Sequence, residues 1–421
     1  MKLFNKIKNT GLLFSAIAVF LTACNKLELA PVPNVQPVQG TTPTLATLLD
    51  DPNFSILKAA VTKAGLLPTL SVPTLRFTVF APDDAAFTAS GISAGAIAFL
   101  DTATVTAIAK YHIVPQIIAS SSIASFFPNF QYPTILNPAP SVSPLLRLTT
   151  FPSVRAGIGA WVNNIPITAV DIQAVNGVLH KVARVIAPPS TSLWSRINSD
   201  ADLTYLKAAI QRADSGTTAT PGTLNQNNLQ SILTEFGPNL TVFAPNNAAF
   251  QAVLYAAGYP AVYGQLYNGA YNNAIGGGAT PEQADGIATA YATANAGPAT
   301  TGLVSSPTVF QNPALFSALT AQRVKGILVY HVLGSRAFSV NIPSVATNVP
   351  TLLNTVVPTH PGVSIVATFT GPGVTAATVK GLGNSSAANI AINPSPNPNG
   401  TSDQHFINGV LHKIDQVLLP Q

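Results

Sequence analysis

Charge is scarce in this chain. Only 8% of its 421 residues are Asp, Glu, Lys or Arg, against about 25% in ordinary soluble proteins. With 47% apolar residues, that composition excludes an intrinsically disordered polyelectrolyte, which needs low hydrophobicity and high net charge. The basic residues are scattered and not interleaved with aromatics, so no concentrated basic surface exists for nucleic acid. Three of the five net positive charges are Lys2, Lys6 and Lys8; without them the balance is 17 basic to 15 acidic residues. Cysteine occurs once, at Cys24, so no intrachain disulfide forms and the fold relies on packing. After residue 23 no apolar run reaches the ~18 residues of a membrane helix. The HExxH, P-loop and GxGxxG signatures are missing. The run Gly276, Gly277, Gly278 lacks the following Lys-Ser/Thr of a phosphate loop and reads as a flexible turn.

What is present starts at the N-terminus. Three lysines precede an almost wholly apolar stretch at residues 11–20, the pattern of a secretory signal. It ends in Leu21, Thr22, Ala23 and Cys24, which resembles the lipobox of bacterial lipoproteins. That resemblance implies cleavage before Cys24 and acylation of the new N-terminal cysteine, giving a signal peptide at 1–23. Several acyl chains anchor far better than one. Residues 24–43 carry four prolines without helical periodicity and predict an extended tether that holds a globular body off the membrane.

The rest of the chain repeats itself. Residues 78–87 read TVFAPDDAAF and 241–250 read TVFAPNNAAF; NGVLHK recurs at 176–181 and 408–413, and LKAA at 57–60 and 206–209. Tyr111-His112 and Tyr330-His331 lie between these markers in the same order. The period is far too long for a solenoid unit, so the organisation is a tandem domain duplication. TVFAP predicts a short strand stopped by proline, followed by Asp83 or Asn246 as a helix N-cap. The Asp-to-Asn exchange keeps capping but abolishes acid/base chemistry, which argues for a structural role. NGVLHK predicts a hairpin strand after an Asn-Gly turn, and the LKAA segments predict amphipathic helices. Helices early and strands late in each copy predict an α+β fold.

Together, TVFAP-[DN]-[DN]-AAF, the Tyr-His pair and the closing NGVLHK strongly resemble the signature blocks of fasciclin-like domains. The resemblance covers 44–188 and 196–420. It implies two tandem β-sandwich or wedge domains with helices packed alongside, and adhesion or matrix contact without enzymatic activity; the residues themselves call for no cofactor and no metal. It also points to Tyr111, His112, Tyr330 and His331 as receptor-contact residues, although their apolar neighbours predict burial and mainly a packing role. The second copy departs from the pattern: 24 positions separate Phe87 from Tyr111, but 80 separate Phe250 from Tyr330. An insertion at about 251–312 follows.

The insertion holds Tyr255, Tyr259, Tyr263, Tyr267 and Tyr271 at every fourth position, with Tyr291 further on. Gly258, Pro260, Gly264 and Gly269 argue against one continuous helix; the expectation is a stop near Gly258 and a restart at Pro260. The phenols, with Asn268, Asn272 and Asn273 nearby, suit a neutral ligand such as a glycan, or pack the insertion onto its domain. His112, His180, His331 and His412 recur two per copy, yet no recurring carboxylate is identified to complete a metal site; each imidazole is expected to satisfy buried backbone groups. The function expected is a lipid-anchored adhesion module of the bacterial cell envelope, at the outer membrane, contacting protein or glycan. The alternatives are a structural envelope protein without a dedicated ligand, and a hydrolase with its site in the insertion. The joint at 187–192, rich in proline and small polar residues, predicts two copies that fold independently.

Overall fold

The computed structural model describes residues 42–124, 127–312, 315, 318–393 and 400–421. Cys24 and nearly all of the tether lie outside them.

The first copy opens with helices α1 (Leu45–Leu48), α2 (Ser55–Lys63) and α3 (Leu67–Leu70). Strand β1 (Phe77–Pro82) leads into α4 (Asp84–Ala89), α5 (Ala94–Phe99) and α6 (Thr102–Tyr111). Strands β2 (Ile113–Val114), β3 (Tyr132–Pro133), β4 (Thr149–Thr150), β5 (Pro152–Arg155), β6 (Gly159–Val162), β7 (Ile165–Ala174) and β8 (Gly177–Val182) complete it. The second copy has α7 (Leu193–Ser199), α8 (Thr204–Ala213), α9 (Leu229–Thr234), β9 (Leu240–Pro245), α10 (Asn247–Gly276), α11 (Pro281–Val304) and α12 (Ala321–Tyr330). Strands β10 (Val332–Leu333), β11 (Thr347–Val349), β12 (Val363–Thr370), β13 (Gly373–Lys380), β14 (Ala388–Ile390), β15 (Gln404–Phe406) and β16 (Gly409–Ile414) follow. The fold is α+β in both copies.

The large sheet of each copy is built around a parallel pair, and β3 and β4 form a separate antiparallel pair. β1 runs parallel to β8 with Val79 opposite Leu179, in the order β2-β1-β8-β7-β6-β5; β9 runs parallel to β16 with Val242 opposite Leu411. Both faces of β1 are covered. Phe77, Val79 and Ala81 enter the cluster formed with the helices, while Phe80 points into a second cluster with Tyr111, Val162 and Ile186. Leu240, Val242 and Ala244 against Phe243 repeat the division, as the two-residue period of a strand requires. The Asn-Gly turns close the expected hairpins, and they also need glycine for contact: a Cβ on Gly177 (φ +158°) would stand 2.0 Å from the Phe77 carbonyl oxygen.

The DD/NN exchange is structural. Asp83 caps α4 through the Ala86 N–H (2.9 Å), and Asn246 caps α10 through the Ala249 N–H (2.8 Å). The next residue holds a different helix: Asp84 accepts from the Ile56 N–H of α2, and Asn247 from the Tyr205 N–H of α8. The acceptor oxygen is what the two copies share; beyond it, Asp83 pairs with Lys181 (3.0 Å) and the Asn247 amide donates to the Ala201 carbonyl (2.9 Å).

The insertion differs from expectation. α10 is one 30-residue helix with Pro260 inside it, about 45 Å long, with no stop at Gly258. Packing overrides propensity here. α11 lays Ala284, Ala288, Ala292 and Ala296, all fully buried, along α10. Their small side chains let the two backbones approach closely. Pro260 sits on the exposed side, so the carbonyl that loses its partner faces water. Ala292→Leu is expected to overpack this contact by about 1–3 kcal/mol. Protease cleavage should then appear within 247–304 while the melting of both copies is unchanged; an uncleaved hairpin would show that the alanine stripe does not hold it.

Candidate functional site

The residues nominated by the Tyr-His resemblance lie inside the protein. Tyr111 and Tyr330 are fully buried and His112 and His331 are 1% exposed, so in this conformation they offer a partner no surface. Their chemistry is spent internally. The Tyr111 hydroxyl donates to the Thr149 carbonyl (2.9 Å) and that of Tyr330 to the Gly362 carbonyl (2.6 Å). His112 Nδ1 donates to the Ile108 carbonyl (2.8 Å) while Nε2 accepts from the Ile186 N–H (2.9 Å). His331 repeats this with the Ile327 carbonyl and the Leu418 N–H, each at 2.8 Å. One ring nitrogen must carry the proton and the other must lack it, so both imidazoles are neutral. Burial pushes the pKa of each down to about 4.

His180 and His412 form a second matched pair with the opposite tautomer. Nε2 donates to the Ile118 or Ala337 carbonyl, and Nδ1 accepts from the N–H of Asp171 or Asp403. Both aspartates adopt left-handed backbone, φ 57° and 54°, a region uncommon outside glycine and entered mainly by Asn and Asp. Their carboxylates hold them there. Asp171 accepts from Ser120 N–H and hydroxyl, and Asp403 from Ser339 N–H and hydroxyl.

A carboxylate therefore does recur, contrary to the sequence reading. Residues 171–180 read DIQAVNGVLH and 403–412 read DQHFINGVLH; extending the NGVLHK match five residues upstream exposes it. Serine, histidine and aspartate meet here without forming a nucleophilic triad: the serine bonds the carboxylate, and the imidazole bonds only backbone. Among the described residues no group of three His, Cys, Asp or Glu could hold a metal ion.

The insertion tyrosines are half-buried, lying in sequence along α10. Ring centroids of Tyr255 and Tyr259 are 5.8 Å apart, Tyr259 and Tyr263 6.3 Å, Tyr267 and Tyr271 6.0 Å. Tyr267 donates its hydroxyl to Asp285 of α11, tying the hairpin near its tip. Tyr291 stands apart and exposed. Each of the five stripe tyrosines is thus partly packed and partly open to solvent.

A seam between the two copies was invisible to motif reading. Phe151, Trp161, Phe338, Val340 and Val410 form one buried cluster from both copies. Arg155 of the first donates to the Val340 carbonyl (2.7 Å) and to the Ile342 carbonyl, with its guanidinium 4.3 Å from the Phe369 ring centre. Arg336 of the second lies 5.0 Å from the ring centre of Phe151 and donates to the carbonyls of Phe406 (2.9 Å) and Ile407 (2.7 Å). Burial lowers its pKa to about 10, still charged at neutral pH; burial of the neighbouring His405 ring, and then the Arg336 charge, hold that imidazole well below its usual range. The joint at 187–192 is therefore reinforced by a buried aromatic contact.

Comparisons with known proteins agree with the motifs. The Fasciclin domain model matches residues 52–188. The transforming growth factor-beta-induced protein ig-h3 of Sus scrofa is 30% identical over 170 residues, which is 38% of this chain and 22% of that protein's length. Protein sll1483 of Synechocystis sp. is 30% identical over 159 residues, covering 36% of this chain and 78% of that protein. A domain pair from the insect cell adhesion molecule Fasciclin I is 14% identical and covers 88% of this chain and 98% of that one, but at a TM-score of 0.32 the likeness has no bearing on the architecture. With four fifths of sll1483 matched and the repeated blocks in place, the chain belongs to the fasciclin-domain family.

Proposed function

We propose that this protein is a non-enzymatic adhesion or binding module, anchored to the bacterial outer membrane through lipid on Cys24 and contacting protein or glycan at the cell surface. The observation that carries the reading is the commitment of the recurring chemistry. All four repeated histidines, both repeated aspartates and the DD/NN pair bond backbone or cap helices. What is left for function is surface, and the feature that sets the second copy apart is its long helical hairpin. Family membership supports adhesion. The N-terminal pattern supports the anchor, and no helix among the described residues is long and apolar enough to cross a membrane.

The anchor is tested by fractionation. Cys24→Ala is expected to move the protein from the membrane pellet to the soluble fraction, or to block its maturation, and to abolish adhesion of the cells that carry it. An unmodified Cys24 in the intact mass of the mature protein, or retention of residues before it, would overturn the assignment.

A further inference from the structure

Where the two insertion helices leave the second copy, an open crevice of about 280 Å³ is lined by Gln251, Ala252 and Tyr255 of α10, Thr301 and Val304 of α11, and Ser305. That volume lies at the low end for small-molecule sites, which run from ~300 Å³ upward. It suits one or two small rings.

The floor of the crevice is tied to the core. The buried Tyr205 donates its hydroxyl to the Val304 carbonyl (2.6 Å) and accepts from the Gln251 side-chain amide (3.1 Å). This orients the amide and leaves its carbonyl oxygen as an acceptor. Above it, hydrogen-bonding capacity is uncommitted. The hydroxyl of Thr300 is used by the Ala296 carbonyl (2.7 Å), whereas those of Tyr255 and Thr301 make no hydrogen bond to the described residues. No lining residue is charged, and residues 247–304 contain no Lys or Arg and only Glu282 and Asp285 as acids.

This chemistry selects a ligand class. A charged ligand would give up hydration without a counter-charge, and an apolar one would leave the amide and hydroxyls unpaired. A neutral ring with hydroxyls on its edge and C–H groups on its face meets both needs, laying the face on Tyr255 and bonding Gln251 and Thr301. We propose that the crevice binds a neutral saccharide unit. Tyr259 and Tyr263 continue from Tyr255 at 5.8 and 6.3 Å and offer further units a path along α10. The proposal rests on the binding reading above and names the ligand class and the place.

The test uses the full chain in a detergent without a sugar headgroup, titrated calorimetrically with cellotetraose, maltotetraose and the tetramer of N-acetylglucosamine. At least one is expected to bind saturably. Ala252→Trp and Thr301→Trp, which fill the crevice from exposed positions on opposite walls, should each weaken binding at least tenfold with the unfolding midpoint unchanged. Gln251→Ala should weaken it about fivefold. Binding undiminished in both tryptophan variants would overturn the site while leaving the module reading intact. Saturable binding to an immobilised matrix protein but to none of the three sugars would overturn the ligand class. Absence of both would overturn this proposal and the binding reading together.

Discussion

Lowering the pH from 7 to 4 is expected to remove several kcal/mol of stability from each copy. His112 and His331 are neutral in the fold because one ring nitrogen accepts a buried backbone N–H. Their folded pKa of about 4 lies below the ordinary 6.5. The unfolded chain therefore binds the extra proton first. Stability is full above pH 6.5 and declines as pH falls toward 4. A difference of that size is worth roughly 3 kcal/mol per imidazole, set against a total of about 5–15 kcal/mol for a typical domain. Depressed carboxylates such as Asp83, where the Ala86 N–H and Lys181 outweigh burial, act in a lower window, as pH falls through the carboxylate range. Urea midpoints at pH 7, 6, 5 and 4 check the effect. A flat profile across that range, or one unchanged by His112→Gln with His331→Gln, would show that the imidazoles are not held as described.

Phe338→Ala is expected to cost about 3–5 kcal/mol and to split one unfolding transition into two. Phe338 is fully buried between the copies, its ring centre 6.0 Å from Phe151 and 5.3 Å from His405. Truncation leaves a cavity beside the charged Arg336 and admits water to the seam. Trp161, 1% exposed in the same cluster, reports the change by fluorescence: its emission should shift to the red at denaturant concentrations where the far-ultraviolet signal is still native. For the same reason, fragments 44–190 and 193–421 should each be less stable than in the intact chain. A single transition with unshifted emission would show that Phe338 does not couple the two copies.

The fold was legible wherever local chemistry repeats. Proline-stopped TVFAP strands, their Asp or Asn caps and the NGVLHK hairpins depend on neighbours within a few residues, and each formed as the pattern implied. The histidines' backbone partners follow from burial plus the need to satisfy polar groups. The continuity of α10 was not legible, because it depends on alanines about 30 residues away on α11, and single-helix propensity says nothing of such a partner. The recurring aspartate was present in the sequence but lay beyond the edge of the matched block.

The seam is the most instructive omission. Counting onward from each Tyr-His pair, Arg336 and Phe338 stand where the first copy has Ile117 and Ala119; counting back from NGVLHK, His405 stands where it has Gln173. Those three departures converge on Phe151. Shared motifs identify the common design, and the departures from it locate what is particular to this chain.

The most direct measurement of the account is binding of the full chain to an array of immobilised glycans and matrix proteins. The account predicts saturable binding to at least one of them, no turnover of any arrayed molecule, and no protection of Tyr111, His112, Tyr330 or His331 beyond that of the free protein. No saturable binding to any of them, or catalytic release of an arrayed substrate, would contradict it.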